Sequence, residues 1–228
     1  MCGGKMSIKA SIEPFSIKDC ALVTIATGKK AQNLKEMREH LLNIHLGSIY
    51  HHFWGGLLRP RFDEPQYNND FAEWVYHALQ DNILAERLSV IDPDPFVNLE
   101  SLRQELLEVI EQRLDEIETV TWAKPDMQFH FVRSQMVVFD THGKIDQPEE
   151  LVEAVPNMSV GSIFYHFIDA RRRSPEMMDD FRTWLRACGD DALCSLVAEV
   201  DPYFGSLVEL RRQLADLFAQ YFFQGVTG

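Results

Sequence analysis

Little in these 228 residues is basic, and nothing in them forms a long apolar run. Twenty-two Lys and Arg stand against 35 Asp and Glu, a formal charge of −13. The average surface therefore repels a phosphate backbone, and no nucleic-acid partner is expected. No stretch approaches the roughly twenty consecutive apolar residues that cross a bilayer. The opening MCGGKMSIKASIEP lacks the apolar centre of a secretion signal, so no membrane partner is expected either. The four cysteines, Cys2, Cys20, Cys188 and Cys194, form no Cys-x-x-Cys pair. A chain of this length needs no disulfide staples, and a reduced, cytoplasmic setting follows as the expectation. Nucleotide and nucleophile signatures are also missing. Gly28 in ATGKK has no phosphate cradle around it, no Gly-x-Gly-x-x-Gly follows a strand pattern, and no Gly-x-Ser-x-Gly elbow occurs. His40, His45, His77, His130 and His142 have no partner at metal-ligand spacing, so neither a metal nor a cofactor is expected.

What is present is a globular composition, 46% hydrophobic and 25% charged, and a pattern written twice. Laid without a gap, residues 15–59 match residues 129–173 at about thirteen of forty-five positions, which reads as an internal duplication. Farther on, Pro65, Asp70, Phe71 and Trp74 align with Pro175, Asp180, Phe181 and Trp184, and Asp92-Pro93 with Asp201-Pro202. The expected organisation is a tail at 1–14, a first helical module at 15–120, a short linker at 121–128 and a second module at 129–224. The linker is too short to act as a flexible tether, so the modules are expected to pack together.

Each module opens with a two-residue alternation, FSIKDCALVTI or FHFVRSQMVVF, that predicts a short strand. A lone strand leaves its backbone unsatisfied, so the two strands are expected to pair across a pseudo-twofold axis. A first helix follows from Leu34, Met37, Leu41 and Ile44, with Pro148 in the first turn of its counterpart. Ser48 and Ser162 are expected to cap the next helix, Pro65 and Pro175 to open a third, and Asp92-Pro93 and Asp201-Pro202 to end a fourth. The last helix carries Leu99, Leu102, Leu106 and Ile110 on one face, and its twin begins with the capping-box spacing Ser206 to Glu209. The four tryptophans read as core. The fold class is mainly α, within α+β.

The repeated GSIYHHF and GSIFYHF segments raise the functional question. At about 100° per residue, Ser48, His52, Gly55 and Arg59 fall on one narrow helical stripe, and Ser162, His166, Asp169 and Arg173 repeat it. His51 points roughly 100° away from His52 and is replaced by Tyr165, so the double histidine does not read as a chelate. Asp70 is placed to face His52 or Arg59, with Trp74 beside it; Asp180 and Trp184 are their equivalents. The plainer reading is a structural polar cluster that pins two helices. The sharper one is a pocket in which an arginine, histidine and serine hold a small anionic ligand against a tryptophan wall. A catalytic version, with Asp70 orienting His52 as a base, lacks a substrate-side group. In the run Arg171, Arg172 and Arg173, only the last belongs to the stripe, and at least one of the three is expected in solvent.

The repeated GSI(Y/F)(H/Y)HF with a downstream DFxxW resembles an uncharacterised family of prokaryotic proteins, a domain of unknown function, most clearly over residues 15–103 and 129–214. That resemblance implies no activity and no catalytic residues. The expected function is a non-catalytic binding or protein-interaction module whose partner is another protein or a second copy of itself. The alternative is a small-anion-binding protein or enzyme using Ser48, His52, Arg59, Asp70, Trp74, Ser162, His166, Asp169, Arg173, Asp180 and Trp184.

Overall fold

The structure is a computed structural model and describes residues 12–59, 66–203 and 205–224. Its only sheet among those residues is a two-stranded antiparallel ribbon, β1 (Phe15–Ala31) with β2 (Phe129–Ile145). Both strands run six residues beyond the alternation that predicted them. The register leads from Phe15↔Ile145 to Ala31↔Phe129 and is centred on Leu22↔Met136. Adding 114 to a β1 number and subtracting it from the β2 partner turns one pair of the ladder into another, as Lys18↔Asp140 becomes Val132↔Ala26. Two register steps interrupt the ladder, at Ile17/Lys18 and at Ala26/Lys30.

Helices make up most of the rest. The first half continues through α1 (Leu34–Leu41), α2 (Leu46–Trp54), α3 (Asp70–Trp74, running on as a π-helical turn over Val75–Leu79), α4 (Asn82–Ser89) and α5 (Leu99–Glu116). The second half follows with α6 (Leu151–Asn157, led in by a 3-10 turn at Pro148–Glu150) and α7 (Val160–Ile163). α7 passes through a π-helical stretch at Phe164–Asp169 into α8 (Ala170–Arg173). Then come α9 (Asp180–Cys188), α10 (Asp191–Ala198) and α11 (Leu207–Gln224). Side-chain caps begin most of these helices, and the expected box closes α11: Ser206 N donates to Glu209 Oε2 at 2.8 Å, and Glu209 N to Ser206 Oγ at 3.3 Å.

Several sequence expectations shift. Ser48 and Ser162 lie inside their helices; His45 and Ser159 are the caps, accepting from Gly47 N and Ser162 N. Pro175 sits in a turn, and the helix after it starts at Asp180 under an Asp179 cap. Pro65 lies outside the described residues. Trp54, Trp74 and Trp184 are buried, but Trp122 is 62% exposed.

The two halves complete each other's cores. Phe129 and Phe131 of β2 pack with Phe71, Trp74 and His52 of the first half. Phe15 of β1 packs with Phe181, Trp184 and His166 of the second. Each tryptophan is tied to the segment leading into the other half's strand, since Trp74 Nε1 donates to Met127 O and Trp184 Nε1 to Glu13 O. The glycine of each Gly-Ser pair permits this approach. A Cβ on Gly47 would stand 2.9 Å from Ser134 O, and one on Gly161 would collide with Asp19 and Cys20.

Candidate functional site

His52 and His166 are both buried and both fully engaged. His52 Nδ1 lies 2.8 Å from Asp70 Oδ2, and Val132 N donates to its Nε2 at 3.2 Å. His166 Nδ1 lies 2.8 Å from Asp180 Oδ2, and Lys18 N donates to its Nε2 at 2.9 Å. A backbone N–H cannot accept, so each Nε2 supplies the lone pair and each Nδ1 carries the proton toward its carboxylate. Lys18 and Val132 flank the two register steps, so each imidazole satisfies a strand amide of the opposite half. Ser48 does similar work, with its Oγ donating to Val132 O at 2.7 Å. Neither histidine has a nitrogen left for a substrate proton.

The arginines behave differently in the two halves. Arg173 Nε donates to Asp169 Oδ2 at 2.8 Å, its Nη2 donates to Tyr165 O at 2.9 Å and to Asp180 Oδ2 at 3.1 Å, and the guanidinium lies 3.9 Å over the Tyr165 ring. Burial opposes its charge, but Asp180, Tyr165 and Asp169 outweigh that and hold it protonated more firmly than usual. Asp169 is buried and also accepts from Tyr50 Oη and Arg172 Nη2, each at 3.0 Å. Arg171 reaches Asp94 at 2.9 Å, so all three consecutive arginines find carboxylates.

Arg59 is not on the helical stripe. α2 ends at Trp54 with Gly55 as its cap, and the chain turns through Gly55-Gly56. Arg59 then reaches back to His51 Nε2 at 2.7 Å, not to Asp70. On its other side His51 Nδ1 lies 2.5 Å from Ser134 Oγ. Burial, then the neighbouring His52 and Arg59, press the His51 imidazole down to about 4 against the opposing pull of Asp70. This serine–histidine contact has the wrong polarity for nucleophilic catalysis. The guanidinium takes the Nε2 lone pair, so Nδ1 donates to the serine instead of accepting from it. A catalytic base would need a carboxylate where Arg59 stands.

Sequence reasoning set His51 aside, yet the fold brings donor atoms of His51, His52 and Asp70 within 4.8 Å of one another, a grouping that could be imagined around a metal ion. The His52 second partner argues against it. A metal on Nδ1 would require the proton at Nε2, where the Val132 amide already points. Cys20 is buried, and burial followed by Asp169 and Asp19 pushes its thiol up to about 12, far from a reactive thiolate.

Two clefts adjoin these residues. One, of about 460 Å³, is lined by Lys18, Tyr165, His166, Arg173, Asp180 and Trp184, so four predicted site residues of the second half do share a concavity. The other, of about 400 Å³, lies between Asp19 and Cys20 of β1, Ser134 of β2, and His51 and Arg59. Ser162 faces a separate surface concavity with Asp19 and Glu150.

No curated protein matches the chain. Among solved structures it is similar to "The structure of OrfY from Thermoproteus tenax", with a TM-score of 0.78 and 27% identity over 92% of this chain and 96% of that one. A family profile covers residues 12–219, and with it the motifs that carry the histidines and tryptophans: the chain belongs to the Family of unknown function (DUF5752).

Proposed function

We propose that this protein is a non-catalytic binding module built by internal duplication, in which the repeated His/Asp/Trp set is a structural cross-link. One observation carries the reading. Both repeated imidazoles spend their Nε2 lone pair on a backbone amide and their Nδ1 proton on an aspartate. Groups so committed are suited to holding a ribbon against helices and unsuited to proton transfer. The ladder that maps onto itself by an offset of 114 supports duplication, with modules at 15–120 and 129–224 that exchange their opening strands. Free thiols at Cys20, Cys188 and Cys194 fit a cytoplasmic setting.

Ring-nitrogen NMR of the folded protein tests the cross-link. His52 and His166 are expected as Nδ1–H tautomers, and Asp180→Ala is expected to lower stability. A resonance pattern of Nε2–H imidazoles, or an Asp180→Ala protein of unchanged stability, would sink the reading.

A second reading rests on the 400 Å³ cleft, where Arg59 has no carboxylate within ion-pair distance among the described residues. A small anion bound there would appear in native mass spectra as an adduct that Arg59→Ala removes. A bare polypeptide mass for the unsubstituted protein counts against it.

A further inference from the structure

The offset of 114 that relates the two halves also shows where they differ. In the first half His40, in the last turn of α1, has its Nε2 2.8 Å from Lys30 O and its ring edge-on to Phe131 at 5.4 Å. A carbonyl only accepts, so this Nε2 is the donor. The second half keeps the carbonyl and loses the ring. Lys144 stands for Lys30, Ile17 for Phe131, and Ala154 of α6 for His40. Lys144 O receives no side-chain donor among the described residues, in contrast to Lys30 O.

A cleft lies where the imidazole is missing. Ile17, Lys144 and Ala154, the counterparts of the three residues that meet in the first half, all line one concavity of about 630 Å³. Ile145 and Met158, both buried, add to its apolar lining. Ser162, 2% exposed, also borders it; its twin Ser48 donates to Val132 O, whereas the Ser162 Oγ has only Ser159 Oγ at 3.2 Å.

Charge has changed together with shape. Asp19, Glu150 and Glu153 line the cleft, and among the described residues none of them has a basic partner within ion-pair distance, Lys144 included. Asp19 Oδ1 and Glu150 Oε2 accept from Cys20 N and Asp146 N, which leaves the second oxygen of each carboxylate. The counterparts of these three acids are Arg133, Glu36 and Glu39. The second half therefore lacks two groups able to carry positive charge, His40 and Arg133, and has one more carboxylate.

We infer that this cleft binds a small organic cation with a planar N–H head, an imidazole or a guanidinium. The head donates to Lys144 O as His40 does to Lys30 O, and Asp19, Glu150 and Glu153 meet its charge. The sign of the lining excludes an anion. A metal ion does not fit, because these carboxylates do not converge as His51, His52 and Asp70 do. The volume suits a metabolite-sized ligand. This site lies apart from the histidine cross-link and shares only Asp19 and Ser159 with the Arg59 cleft.

Isothermal titration of the full-length protein with agmatine, histamine and putrescine tests this. Agmatine and histamine are expected to bind saturably, one per chain. Putrescine matches agmatine in charge but lacks its planar head, and should bind at least tenfold more weakly. Ala154→His copies the first half and should close the cleft, lowering both affinities at least tenfold. Glu153→Lys, at an exposed helix position, should do the same through charge, and it carries the test if Ala154→His fails to fold by circular dichroism. Arg59→Ala should leave both affinities unchanged, so this inference and the anion reading fail separately.

No saturable heat from either ligand below about 10 mM would overturn the inference. So would putrescine binding as tightly as agmatine, affinities indifferent to both substitutions in the cleft, or an Arg59→Ala loss as large as that of Glu153→Lys.

Discussion

At the end of α2, Gly55 leaves Arg59 to fold back onto a neutral His51. At the corresponding place in the second half, Asp169 gathers Tyr50, Arg172 and Arg173 around one buried carboxylate. The first half thus closes its helix end with a hydrogen bond to an imidazole, and the second with a buried ion network. A buried charge with its partners in place is tolerated, while removal of one partner leaves the others uncompensated. The same scaffold is therefore expected to respond very differently to equivalent substitutions.

The largest test of the comparison separates the halves altogether. Because Phe129 and Phe131 complete the first half and Phe15 the second, a fragment of residues 12–120 is expected not to fold as a monomer, and likewise 121–224. Mixed, they should regain helical circular dichroism as a one-to-one complex. A folded monomer of either fragment would show that strand exchange is not needed for the cores.

Next in size is the pair Asp169→Ala and Arg59→Ala. Asp169 is fully buried, and its loss leaves Tyr50 and Arg172 without their carboxylate and Arg173 with only Asp180 and Tyr165 O, at a cost of about 3 kcal/mol. Arg59 is exposed, and its removal should cost under about 1 kcal/mol. Denaturant melts of both variants decide it, and equal losses would erase the distinction between the two helix ends.

These contrasts show what was legible from sequence. The strand–helix order and the capping box at Ser206 could be read because periodicity and spacing encode them locally, whereas Asp70 could be placed only as facing either His52 or Arg59. The roles of His52 and His166 could not, since the amides they serve, Val132 and Lys18, lie 80 and 148 residues away. Helical arithmetic also failed where the helix changed. It placed Arg59 on a stripe that stops at Trp54, and it ran at 3.6 residues per turn through the π-helical Phe164–Asp169. His51, set aside as pointing the wrong way, is the residue that Arg59 and Ser134 hold.

Titration separates the halves in a third way. Burial raises the Asp179 carboxyl from 3.8 to about 6, and its Oδ2 is buried without a hydrogen-bond partner. In the first half Asn69 occupies the matching helix cap and donates to Leu88 O at 2.9 Å. With a raised folded pKa, the folded state binds more protons than the unfolded chain between about pH 4 and 6, so this group's contribution falls as pH rises through that window. His51 has the opposite slope: its folded value is lowered from 6.5 to about 4, so its contribution is intact above 6.5 and lost as pH falls toward 4. Together the two flatten the profile. Asp179→Asn is expected to add about 1–3 kcal/mol at pH 7 and little near pH 4, leaving a protein whose stability declines visibly with acid. Melts from pH 4 to 7.5 read both effects, and a pH-independent gain would rule out the buried charge as its source.

The smallest difference sits at the two register steps of the ribbon. Gly28 and His142 occupy matching positions and both take positive φ, 73° and 60°. Beside them Thr27 Oγ1 donates to Phe131 O and Thr141 Oγ1 to Ile17 O, each at 2.5 Å. The backbone therefore demands the left-handed conformation in both strands, but only one strand has the residue that adopts it without a Cβ penalty. His142 is exposed, its Nδ1 3.7 Å from the equally exposed Asp140 carboxylate, and a Cβ at Gly28 would meet nothing within 4 Å, so packing plays little part and conformation dominates the outcome. His142→Gly is expected to stabilise by about 0.5–1 kcal/mol and Gly28→Ala to destabilise by a similar amount. If both changes destabilise, His142 makes a contact worth more than its strain, and the two steps are alike in shape but not in energy.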